Sequence, residues 1–135
     1  MQATALVQLR SLSAGGLPKA RNSLASLAAA SITPLSMGLI VLDAFRQLNE
    51  LVFDGTLPRV PVSRADLTQY TAWGVFWPDS RSIQIERTLT TKQARVALLH
   101  EMVHLEQSIR GQAVHHNDYF RRRAKECLSL TGWHI

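Results

Sequence analysis

Apolar residues at Leu35, Leu39, Leu42, Ala44 or Phe45, Leu48 and Leu51 or Val52 follow the three- and four-residue steps that put one stripe on an α-helix. Thr33 is placed to cap that helix, Pro34 suits its first position, and Asp54-Gly55 ends it. The period then changes. Residues 60–64, 70–77 and 83–86 are rich in β-branched and aromatic side chains, and Ile83 and Ile85 alternate with Gln84 and Glu86. Pro78-Asp79-Ser80 separates the last two runs as a turn. From Thr90 or Thr91 as cap, a stretch without Gly or Pro returns to helical spacing through Val103 and stops near Gly111. A final helix, capped by Asn117 or Asp118, carries Phe120, Ala124, Cys127 and Leu128 on its apolar side. The order helix, three strands, helix, helix predicts an α+β domain with a small three-stranded antiparallel sheet.

The first forty residues read differently. They hold Arg10, Lys19 and Arg21 but no acidic residue before Asp43, and Ser, Ala, Gly and Leu dominate. Residues 1–32 are therefore read as a basic Ser/Ala-rich extension, partly helical around residues 20–30 or disordered, and residues 33–135 as the domain. Such a start also has the composition of an organelle-targeting peptide. The uncharged run before Asp43 is broken by Pro34 and Gly38 and rich in Ser and Thr, which makes it a poor membrane span. The expectation is a cytoplasmic protein without a transmembrane segment, organelle targeting being the alternative.

A single cysteine, Cys127, excludes a disulfide framework and fits a reducing compartment. A chain of 135 residues, 46% hydrophobic, suffices for one core and is too short for two ordinary domains. The net charge of +5 points toward anionic partners, but residues 43–135 carry twelve basic and ten acidic groups, so most of the excess lies in the extension. Arg121, Arg122, Arg123 and Lys125 form the one local basic cluster and are the candidate contacts for DNA or a DNA-bound protein.

The chemistry concentrates in His100-Glu101-Met102-Val103-His104. A four-residue step advances a helix by about 400°, so both imidazoles leave nearly the same face and can reach one metal ion. Glu101 stands roughly 100° further round, outside the ligand pair but within reach of a water beside the metal. Zn²⁺ accepts neutral imidazole nitrogen, and its catalytic sites keep one position open. Ala94, Ala97, Leu98 and Leu105 draw this face into the interior, where polar atoms are costly unless metal or hydrogen bonds satisfy them. A third ligand must come from elsewhere. The metzincin continuation fails, since Gln107 and Arg110 stand where it needs Gly and His. Glu126 is one candidate, although helical spacing offers it Arg122 and Arg123 as partners. His115 and His116, at the start of the last helix, are the others.

The string His116-Asn117-Asp118-Tyr119-Phe120 resembles the His-Gly-x-x-Phe segment of the SprT-like (Spartan-type) zinc metallopeptidase family. Asn49-Glu50-Leu51-Val52-Phe53-Asp54-Gly55-Thr56-Leu57-Pro58 is similar to that family's Asn-x-x-x-Phe-x-Gly-x-Leu-Pro signature, and Leu98-Leu99 before the first histidine also fits. The resemblance covers about residues 38–130. It implies a zincin-like minimal domain with a C-terminal ligand-bearing helix, one Zn²⁺ per chain held by His100, His104 and His116, and Glu101 as general base. The implied function is hydrolysis of peptide bonds in protein or peptide substrates, DNA-associated proteins among them. Asn117 stands where the family has Gly, which keeps His115 in competition with His116. Many relatives add a four-cysteine zinc ribbon; this chain, with Cys127 alone, is expected to be a minimal member lacking it, its thiol a small buried side chain.

Tyr70, Tyr119 and Arg121 are candidate oxyanion donors, and Asp118 a candidate acceptor for a ligand's second N–H. Trp73, Phe76 and Trp77 read as core aromatics before they read as substrate contacts. An extended peptide adding itself to the sheet edge is the binding mode expected of a zincin protease. The alternative functions are a metal-stabilised binding module and a nucleic-acid-associated adaptor with vestigial peptidase activity.

Overall fold

Reading from the amino terminus, the computed structural model, which describes residues 6–7 and 36–135, contains β1 (Leu6–Val7), α1 (Ser36–Phe53), β2 (Val62–Ala65), β3 (Gly74–Trp77), β4 (Ser82–Glu86), α2 (Thr91–Ile109) and α3 (Asp118–Thr131). The α+β class is as expected. The predicted cap at Thr33 and the predicted helix over residues 20–30 lie outside the described residues. Among the described residues no helix is long and apolar enough to cross a membrane.

The end of α1 shows what the Asn-x-x-x-Phe-x-Gly-x-Leu-Pro string does. Asn49 donates from Nδ2 to the Leu57 carbonyl at 3.0 Å and accepts the Leu57 N–H on Oδ1 at 3.1 Å. The chain can double back to reach it because Asp54 and Gly55 adopt φ values of 53° and 71°. Phe53 and Leu57 are then buried on either side of the turn. The motif is a helix-exit clamp, and its residues are architectural.

The sheet order is β1-β3-β4-β2, with β1–β3 and β3–β4 antiparallel and β2–β4 parallel. This corrects the expected three-stranded antiparallel sheet: β2, β3 and β4 are all present, but the pairing is mixed and β1 adds a short edge. Alternation of side chains reveals which face a residue occupies, not the direction of its neighbour. Direction is decided by the link between β2 and β3, which passes over the end of β4 and leaves β4 between them. Glu86 fastens that link, accepting the Leu67 N–H on Oε1 at 2.8 Å and donating its own N–H to the Trp73 carbonyl at 2.8 Å. The strand predicted over residues 70–77 begins only at Gly74, since Thr68–Tyr70 form a 3₁₀ turn. Asp66 Oδ1 accepts the Thr68 N–H at 3.0 Å, a side-chain bond that competes with strand pairing.

Helix α2 runs through the middle of the domain. A reciprocal capping box starts it, with Thr90 Oγ1 accepting the Gln93 N–H at 3.2 Å and Gln93 Oε1 accepting the Thr90 N–H at 3.0 Å. Every residue from Ala94 to Gln107 is buried. Its apolar side chains, including Val96, Leu99, Met102 and Val103, join Phe45 and Leu48 of α1 and Phe76, Ile83 and Ile85 of the sheet in one core. Six charged or polar side chains of α2 are carried inside with them: Arg95, His100, Glu101, His104, Glu106 and Gln107. Helix α3, capped by Asn117, packs Phe120 and Cys127 against this core.

Candidate metal centre

Helical geometry puts His100 and His104 one turn apart on α2, with ring centroids 5.1 Å apart. The turn before α3 brings in His116, whose centroid lies 5.0 Å from that of His100 and 5.1 Å from that of His104. One ligand atom from each of the three lies within 4.8 Å of the others, a grouping able to hold a metal ion. Phe120, the aromatic four residues after His116, touches all three rings, with centroids 4.8, 4.7 and 4.6 Å from His100, His104 and His116. It is the apolar wall against which the cluster is set.

The polar atoms left over identify what the cluster suits. His104 is fully buried, and its Nε2 has no hydrogen-bond partner among the described residues. His100 Nε2 faces His116 Nε2 at 3.0 Å, so two atoms that each carry a lone pair in one tautomer converge. Burial lowers the pKa of all three imidazoles, with neighbouring rings adding to it: His100 falls well below its ordinary value, His104 falls to about 3, and His116 is lowered less. All three are neutral at pH 7, the form that binds a metal. An orphaned buried nitrogen, two converging ones and a neutral all-nitrogen donor set fit a borderline-soft divalent cation.

Glu101 lies on the sheet side of α2. It is completely buried, and neither carboxylate oxygen completes a hydrogen bond among the described residues. Burial raises its pKa well above the usual range, opposed only by the nearby Phe76 N–H. Gly74 of β3 makes room for it: a Cβ there would lie 3.0 Å from Glu101 Cγ and 3.1 Å from Oε1.

His115, the other histidine considered, is exposed and outside the cluster; only its carbonyl takes part, accepting from Gln107 Nε2 at 2.9 Å. Glu126 is also outside, bound to Arg123. None of the three suggested oxyanion donors points at the cluster in its bonding: Tyr119 donates to Glu106 at 2.6 Å, Arg121 binds Asp118 and the His116 carbonyl, and Tyr70 sits edge-on to Trp77. Asp118, bound to Arg121, is likewise not a partner of an imidazole N–H. Within the basic cluster, Arg123 is turned inward onto Glu106 and the Val52 carbonyl, while Arg121, Arg122 and Lys125 are exposed. Phe76 is core, and Trp73 and Trp77 are half-buried.

Sequence reasoning passed over Gln107, Gly74 and Glu106. Gln107 had a readable signal, because positions 100, 104 and 107 share one helical stripe. Gly74 and Glu106 had none, since their partners lie far along the chain. Residues 41–134 match the model of the SprT-like family. No curated protein and no solved structure gives a match.

Proposed function

The chain belongs to the SprT-like family, and we propose that it is a zinc-dependent peptidase whose metal is held by His100, His104 and His116 and whose general base is Glu101. One observation carries this reading: His100, His104 and the buried carboxylate of Glu101 project from the same helix, and the turn before α3 completes the three-imidazole cluster with His116. A purely structural zinc site is usually closed by four protein ligands, whereas three histidines leave a position free. Zinc bound there supplies Lewis acidity toward a water and toward the carbonyl oxygen of the scissile bond.

The remaining steps belong to the protein. Glu101, desolvated and therefore basic for a carboxylate, accepts a proton from the attacking water as the new C–O bond forms. It then delivers that proton to the departing nitrogen as the C–N bond breaks, so the products are a carboxylic acid and an amine. Phe120 and the surrounding core keep bulk water from the buried side of the cluster. The outer edge of β3 already pairs with an extended stretch of the chain, Leu6 opposite Phe76 and Val7 opposite Val75. In this proposal a peptide presented by strand addition beside Glu101 takes the place of that stretch on the β3 edge. DNA-associated proteins are the substrate class in this proposal, reached through the exposed Arg121, Arg122 and Lys125.

Zinc content and peptide hydrolysis measured on Glu101→Gln test the reading. The expected result is one zinc per chain with kcat lowered by about 10²–10⁴. Hydrolysis unchanged in Glu101→Gln, or no zinc-dependent cleavage of any peptide in a library, would refute it and leave the binding-module alternative.

A further inference from the structure

We infer that Gln107 is the positioning residue of the metal centre: its amide oxygen sets the tautomer of His104, and its amide nitrogen grips the chain on both sides of His116. This rests on the three-histidine site proposed above and adds a residue outside the ligand set.

Gln107 has no solvent exposure, and all of its bonds are internal. Its Nε2 donates to the His115 carbonyl at 2.9 Å and to Asn117 Oδ1 at 3.1 Å. Asn117 Oδ1 is itself identified as an oxygen because it accepts the Phe120 N–H at 3.1 Å as the cap of α3. A reversed amide would put the Gln107 oxygen against two acceptors, so only one orientation is consistent. That orientation presents Oε1 to His104 Nδ1 at 2.8 Å. An amide oxygen can only accept, so Nδ1 must carry the hydrogen. In a neutral imidazole the lone pair is then on Nε2, the buried nitrogen without a hydrogen bond among the described residues. One side chain thereby aims the lone pair of the second ligand.

The other end of the amide acts on the third ligand. His115 and Asn117 flank His116 in sequence, and both are bonded to the same Gln107 nitrogen. His116 is exposed, in a turn between two helices, where thermal motion would otherwise spread its ring over many positions. Fastening the residues before and after it to the buried helix restricts that spread before any metal arrives. Groups that orient metal ligands in this way typically change affinity by about 10–100-fold when removed.

The test compares the full chain with Gln107→Met, which keeps length and volume but neither hydrogen-bonding end, and with Gln107→Glu, which keeps the acceptor and loses the donors. Imidazole ¹⁵N shifts of the metal-free proteins report the tautomer, and competition with a chromophoric chelator reports zinc affinity. His104 is expected to carry its hydrogen on Nδ1 in the unmodified chain and in Gln107→Glu, and to lose that preference in Gln107→Met. Zinc affinity of Gln107→Met is expected to fall about 10–100-fold while its circular dichroism stays that of the unmodified protein. Hydrogen on Nε2 of His104 in the unmodified chain, or an affinity within two-fold in folded Gln107→Met, overturns the inference. If Gln107→Met does not fold, the tautomer of the unmodified chain decides alone. Neither readout needs peptidase activity, so a chain that binds zinc and cleaves nothing would remove the proposed function and leave this inference standing.

Discussion

Arg123→Met should be one of the most destabilising single changes outside the core, although it keeps an unbranched apolar stem in place of the arginine's. Glu106 on α2 is buried, with its side chain 5% exposed, and Arg123 on α3 is 12% exposed. Arg123 Nε donates to Glu106 Oε1 at 2.8 Å, and its Nη2 donates to Glu106 Oε2 at 3.3 Å and to the Val52 carbonyl near the end of α1 at 3.1 Å. The pair thus joins all three helices at one point, and Tyr119 adds its O–H to Glu106 Oε1. Removing the guanidinium leaves a carboxylate desolvated without its main partner, a change that costs about 3–5 kcal/mol for buried pairs. Replacing both members by apolar residues removes the stranded charge as well, so Glu106→Leu with Arg123→Met should cost much less than the sum of the single changes. Urea unfolding of the metal-free chain reads this. With m of about 1–3 kcal/mol/M, the single variant's midpoint should fall by at least about 1 M. Additive losses in the double variant, or a midpoint shift below about 0.3 M for Arg123→Met, would refute the assignment of a strongly desolvated pair.

Gly74→Ala tests the space beside Glu101. The added Cβ would sit 3.0 Å from Glu101 Cγ, so the carboxylate must move, and kcat should fall by up to about 10²-fold with zinc content unchanged; loss of zinc instead would place the effect in the ligand set. Tyr119 should ionise late. Burial first, then its bond to Glu106, push the phenol up to about 12, so it should remain unionised past the ordinary range in a titration followed near 295 nm. The sign follows from the raised value: this contribution to stability is whole below the unfolded phenol's pKa and is lost as pH rises toward 12. Ionisation of Tyr119 within the ordinary phenol range would contradict it.

The parts of the site that follow from local geometry were readable from residue order. The four-residue spacing of His100 and His104 has one meaning on a helix, and Thr90 with Gln93 marked where that helix begins. Asp54-Gly55 marked the end of α1, and the turn before Asn117 marked where a third histidine could enter. His116 was separable from His115 only through a resemblance to known sequences. The structure supplies the physical distinction, since the His115 carbonyl is tied to Gln107 while the His116 ring meets His100 and Phe120.

What residue order did not contain is whatever depends on partners distant along the chain. The parallel pairing of β2 with β4 comes from a link anchored by Glu86, and alternation is identical for either direction. Glu106 reads as one more helical carboxylate until Arg123 arrives from α3. Gln107 reads as a mismatch to another family's motif until its amide is seen between His104 and the two neighbours of His116. The sequence by itself determined the helices and the placing of His100, Glu101 and His104 along one of them, because each follows from periodicity over a few residues. Only the tertiary structure decided which third histidine joins them and which buried amide orients the set, because those outcomes depend on how α2, α3 and the turn between them pack in space.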